Sequence, residues 1–181
     1  MDYVRLGKSD LMISRVSMGA MSLGRIGDEE AVTELIRCAY TAGINFFDTA
    51  MAYQGGTSEI FLGRAIKEYV DREDVVIATK YTPRTLEQIN KGITAREHIE
   101  KCINDSLQRL DMDYIDLYIL HMWDYHHPIA SIMEVLHECV QSGKVKAIGI
   151  SNCYAWQIAK ANEIAKANGW TPFVSVQGHY N

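Results

Sequence analysis

VVIATK, residues 75–80, is four apolar residues and a threonine closed by a lysine. So little alternation leaves no polar face for water, so the strand it forms is covered on both sides. The pattern recurs along the chain. GINFFD (43–48) ends on Asp48, YIDLYILH (114–121) ends on His121, and KAIGI (146–150) runs into Ser151 and Asn152. FVSVQ (173–177) closes the series on Gln177. Ahead of them, residues 16–19 read as a first buried strand, preceded by a short hairpin about Gly7-Lys8-Ser9-Asp10.

Helical patterns fill the gaps. Residues 29–41 place Leu35, Ile36, Ala39 and Tyr40 on one face, with Asp28 as N-cap and Gly43 past the end. Residues 58–69 follow, with Phe61, Leu62, Ala65, Ile66 and Tyr69 at helical spacing. Thr94 and Glu97 form an S/T-x-x-E capping box for a helix to Leu110. Pro128 suits the first turn of a helix ending before Gly143. A last helix spans 154–168. Strand starts recur about every 30 to 40 residues, the length of a β-α unit.

Strand and helix alternation fits an open doubly wound sheet or a closed α/β barrel. Gly19-Ala20-Met21-Ser22-Leu23-Gly24 is neither G-x-G-x-x-G nor a P-loop. Chemically able side chains sit at the ends of several different strands, which converge in a barrel and not in an open sheet. The expectation is one α/β domain over 1–181: an incomplete (β/α)8 TIM barrel of about six units with an N-terminal hairpin.

Bulk properties narrow the function. A formal net charge of -5, with no basic run, disfavours nucleic acid. No stretch of 18 apolar residues offers a membrane span. Cys38, Cys102, Cys139 and Cys153 form no C-x-x-C. The first three fall in helical patterns and read as reduced, buried thiols. His98 and His137 read as solvated helix residues, and adjacent His126 and His127 as a poor metal pair. No metal is expected. Charges break the N-terminal stretch, so no secretory signal is read there. A cytoplasmic setting fits.

Asp48, Tyr53, Lys80 and His121 are the candidate reactive groups. Each alone has an ordinary reading as a cap, a packing ring, a solvated strand end or a core histidine. Gathered at one rim they make a proton-delivery device. A free phenol has a pKa near ~10, and a nearby ammonium favours its phenolate. Lys80 supplies that charge, Asp48 holds Lys80, and His121 hydrogen-bonds a carbonyl oxygen. Gly149-Ile150-Ser151-Asn152-Cys153 lacks the second glycine of a nucleophile elbow. A hydride donor must come from outside the side chains.

GINFFDTAMAY, SEIFLGRAIK, VVIATK, SLQRLDMDYIDLYILH, GKVKAIGISN and VSVQGHYN resemble the aldo-keto reductase superfamily, in order and with similar spacing. The resemblance implies an α/β barrel that reduces aldehydes and ketones with NADPH, less often NADH. It makes Tyr53 the proton donor, tuned by Lys80 and Asp48, with His121 positioning the substrate. It puts Ser151, Asn152 and Gln177 at the nicotinamide carboxamide and the backbone of Gly19, Ala20 and Met21 near the cofactor. Trp123 is a substrate-pocket candidate. The family closes its barrel with two strands that this sequence does not reach. The expected consequence is a homo-oligomer, or a complementing chain, at the open barrel edges. The alternative is a non-catalytic relic or partner subunit of the channel β-subunit kind, with impaired cofactor binding.

Overall fold

The computed structural model describes residues 1–179. Tyr180, expected just beyond the last strand, lies outside them. The elements run β1 (Tyr3–Arg5), β2 (Met12–Ser14), β3 (Met18–Gly19), α1 (Glu29–Thr41), β4 (Phe46–Asp48), α2 (Thr57–Tyr69) and β5 (Val76–Tyr81). They continue with α3 (Leu86–Asn90), α4 (Ala95–Leu110), β6 (Ile115–Leu120), α5 (Ile129–Gln141), β7 (Val145–Ser151), α6 (Ala155–Asn168) and β8 (Ser175–Gln177). Strands β3 to β8 pair in sequence order, all parallel, as one curled sheet. This is the α/β half-barrel that the alternation predicts.

Two cores flank the sheet. Ile77, Tyr118, Leu120, Ile148 and Phe47 face the helices, among Ile36, Leu62, Ile103 and Leu136. Val76, Ala78, Leu117, Ile119 and Ala147 face the concave side, where Leu11 and Ile13 of the hairpin cover them. The hairpin is pinned by Asn45, whose Oδ1 accepts from the Ser14 N–H at 2.7 Å and whose Nδ2 donates to the Met12 carbonyl at 3.0 Å. Apolar cover on both faces is what the unbroken runs require.

At the amino ends of the strands, Asp116 of β6 is buried and bridges three strands. It accepts from the Ile77 N–H at 2.9 Å, from Arg72 at 2.6 Å and from Lys146 at 3.0 Å. Arg72 and Lys146 also lie over the ring of Tyr114, each 4.0 Å from its centroid.

Several expectations need correction. Val16 is exposed and the first sheet strand starts only at Met18, because the Ser14 side chain turns the chain by bonding the Val16 carbonyl at 2.6 Å. The α1 core face is Val32 and Ile36; Leu35 and Cys38 are exposed, and the Cys38 thiol contacts Glu34. Helix α3 was not expected; Thr85 and Gln88 cap it reciprocally. His98 is buried, not solvated: its Nε2 lies 2.8 Å from the Thr82 carbonyl. His137 is half-buried, and its Nδ1 accepts from the Thr171 N–H at 3.2 Å. Asp28 caps α1 and the Thr94–Glu97 box caps α4 as expected. Among the described residues no helix is long and apolar enough to cross a membrane.

Candidate active site

Side chains alternate across a strand, so residues two apart share a face. Phe46 and Ala78 line the concave core, and Asp48 and Lys80 lie two residues further along the same strands. Ile119 precedes His121 and Gly149 precedes Ser151 by the same step. The period of two thus delivers these four side chains to one face, at the carboxyl ends of four strands.

Lys80 is the hub and is 1% exposed. Its Nζ donates to Asp48 Oδ2 at 2.7 Å, to the Thr49 carbonyl at 2.8 Å and to Tyr53 Oη at 3.3 Å. Tyr53 reaches it from a tight turn (Tyr53–Gly56) in which Gln54, Gly55 and Gly56 have φ of 51°, 64° and 94°. The Tyr53 and His121 rings meet edge to face, centroids 5.9 Å apart. The structure therefore brings the four groups together as a chain of contacts: Asp48 to Lys80, Lys80 to Tyr53, and Tyr53 to His121.

Burial pushes the His121 imidazole below its ordinary value, and the neighbouring Lys80 charge pushes it further; Asp48 opposes. The ring is neutral at neutral pH. A lowered folded-state value means that the unfolded chain binds the proton first as pH falls. The contribution of this ring to stability is therefore flat above the ordinary value of 6.5 and turns unfavourable as pH drops below it. Between about pH 7.5 and about pH 5.5, the wild type is expected to lose more of its urea midpoint than His121→Asn. Parallel losses would contradict the burial of this ring.

The other predicted positions divide. Ser151 is buried, and its Oγ accepts from Asn152 Nδ2 at 3.0 Å. Asn152, held at φ 48°, also donates to the His121 carbonyl at 2.8 Å. Gln177 is exposed and donates to Asp48 at 3.3 Å. Gly19 pairs with Asp48, and a Cβ built there would meet nothing within 4 Å. The Ala20 N–H donates to the Asp48 carbonyl, and its carbonyl accepts from Ser58, so both polar groups are spent inside the protein. Met21 is exposed. Trp123 packs into the helix-side core, its ring 6.1 Å from that of exposed Trp156.

Sequence reasoning missed a buried polar layer behind this rim. Thr49 Oγ1 and Ser58 Oγ are 2.8 Å apart, and Glu59 accepts from both Thr79 and Arg109. A signal existed. Glu59 is three residues before Leu62 and four before Gly63, which places it on the inward face of α2.

A profile described as the Aldo/keto reductase family matches residues 15–181. An aryl-alcohol dehydrogenase [NADP(+)] of Phanerodontia chrysosporium is 37% identical over 94% of the chain and 49% of its own length. Norsolorinic acid reductase B of Aspergillus parasiticus is 36% identical over 96% of the chain and 49% of its own length. The crystal structure of a thermostable aldo-keto reductase with the inhibitor epalrestat superposes with a TM-score of 0.87 at 29% identity, covering 100% of this chain and 63% of that one. The chain spans about half the length of the curated relatives it matches. With the profile running from residue 15 through the whole barrel sheet, the chain belongs to the aldo/keto reductase family.

Proposed function

We propose that this chain carries the catalytic centre of an NADPH-dependent reductase of aldehydes and ketones. The observation that carries the reading is the 3.3 Å contact between Lys80 Nζ and Tyr53 Oη, with Asp48 holding the same amine at 2.7 Å. Tyr53 gives its proton to the carbonyl oxygen as charge develops there. The fixed cation beside it stabilises the phenolate left behind. Neutral His121 makes no side-chain hydrogen bond among the described residues and can donate one to the same oxygen.

The residues present fit a nicotinamide. The Ser151 hydroxyl and the amides of Asn152 and Gln177 offer the mixed donors and acceptors that a primary carboxamide needs. Among the described residues Asp48 Oδ1 and His121 Nδ1 are buried without partners, and Gly19 borders open space. Asp48, Gly19, Ser151, Asn152 and Gln177 would hold the group, with Met21 and Ala20 beside it. When bound it supplies the hydride that the carbonyl carbon accepts. The choice of NADPH over NADH is supported by the NADP(+) in the name of the aryl-alcohol dehydrogenase relative. That relative, and the exposed rings of Tyr125, Tyr154 and Trp156 beyond β6 and β7, favour aromatic carbonyls as substrates.

The test is NADPH consumption with a nitrobenzaldehyde. Tyr53→Phe keeps the ring packing and removes the proton, so the rate is expected to fall by at least about a hundredfold. Equal rates in wild type and variant would overturn the reading.

A further inference from the structure

We infer that the ion pair between buried Glu59 and half-buried Arg109 sets the separation of Lys80 and Tyr53, so that Glu59, Arg109 and Thr79 are positioning residues for the proton-delivering pair. The kinetic side of this inference rests on the reductase reading; the geometric side does not.

Glu59 stands in the first turn of α2 with no exposed surface. Its two oxygens go in different directions. Oε1 accepts from the Thr79 hydroxyl at 2.6 Å, and Thr79 is the β5 residue next to Lys80. Oε2 accepts from Arg109 Nε at 2.6 Å. Arg109 in turn forms the floor of the Tyr53 turn. A Cβ on Gly56 would meet Arg109 Cδ at 2.7 Å and Nε at 2.9 Å. Ser106 Oγ, 3.3 Å from Arg109 Nη2, steadies the guanidinium from behind. One ion pair thus grips the strand that carries Lys80 and supports the loop that carries Tyr53.

The neighbouring hydroxyls tie the remaining pieces. Ser58 Oγ donates to the Ala20 carbonyl at 2.7 Å and meets Thr49 Oγ1 at 2.8 Å. The Thr49 carbonyl is itself a ligand of the Lys80 amine. A buried ion pair is a poor route to stability, since apolar residues of similar volume often serve as well. What it supplies is direction. Gln54, a non-glycine residue at φ 51°, shows that the turn above is held in a sparsely populated conformation.

Thr79→Val preserves shape and removes the hydroxyl; Thr79→Ser keeps it. The readout independent of activity is competitive acetylation of Lys80, followed by peptide mass spectrometry. Thr79→Val is expected to raise Lys80 labelling by roughly fivefold or more as the amine loosens, a reach set by the steepness of near-attack geometry. Thr79→Ser is expected to match wild type, as is Val135→Ala, a core truncation in α5 that controls for lowered stability. In turnover, Thr79→Val is expected to lower kcat by about tenfold or more, with the NADPH KM within about twofold. Unchanged Lys80 labelling in Thr79→Val overturns the inference whatever the kinetics. An inactive wild type with the expected labelling pattern would sink the reductase reading and leave the positioning device standing.

Discussion

Asp48→Ala is expected to lower the unfolding free energy by about 3–5 kcal/mol, the cost of leaving a buried charge without its partner. Lys80 is 1% exposed, and Asp48 is its nearest anion at 2.7 Å. Once the carboxylate is gone, the amine keeps only the Thr49 carbonyl and the Tyr53 phenol, and neither carries compensating charge. Asp48→Asn retains an oxygen at the same place and is expected to lose about half as much. Urea titration at neutral pH measures both. If the proposed chemistry holds, both variants also lose turnover, because an unanchored Lys80 no longer fixes the phenol. A loss below about 1 kcal/mol for Asp48→Ala would mean that Lys80 is not held as a buried cation.

Gly63→Ala is expected to cost about 3 kcal/mol, without removing any polar group. A Cβ at Gly63 would lie 2.1 Å from the Leu110 carbonyl oxygen and 2.6 Å from its carbon. The obstacle is backbone, so no rotamer change relieves it; α2 and α4 must move apart. Thermal unfolding should fall by roughly 6–12 °C for a chain of this size. Gly19→Ala is the matched control, since the added methyl meets nothing there. A melting temperature within about 2 °C of wild type would show that α2 shifts freely, and Glu59 with it.

What the sequence disclosed, it disclosed through local or periodic signals. Apolar runs gave up β4 to β7 because a strand covered on both faces has no other composition. Caps at Asp28 and Thr94 were readable because donor and acceptor lie within four residues of each other. The gathering of Asp48, Lys80 and His121 followed from one regularity, the common position of chemical groups at strand ends, and Tyr53 followed from its place in the loop just after β4. Glu59, Thr79 and Arg109 escaped because their partners are 20 and 50 residues away. An acidic residue in a first helical turn is ordinarily a solvated answer to the helix dipole. His98 escaped for the same reason: its acceptor, the Thr82 carbonyl, belongs to the loop after β5 and not to its own helix. Leu35 and Cys38 were misplaced because a stripe of apolar residues on α1 is wider in sequence than the strip that the sheet covers.

Asp116 has a consequence for how such a protein diversifies. It rivets β5, β6 and β7 together at their amino ends, with Arg72 and Lys146 stacked on Tyr114 as a second fastening. Loops at the opposite end are built on a frame that is already fastened. Changes in those loops can therefore accumulate while the rivet keeps the amino-end register of β5, β6 and β7 unaltered.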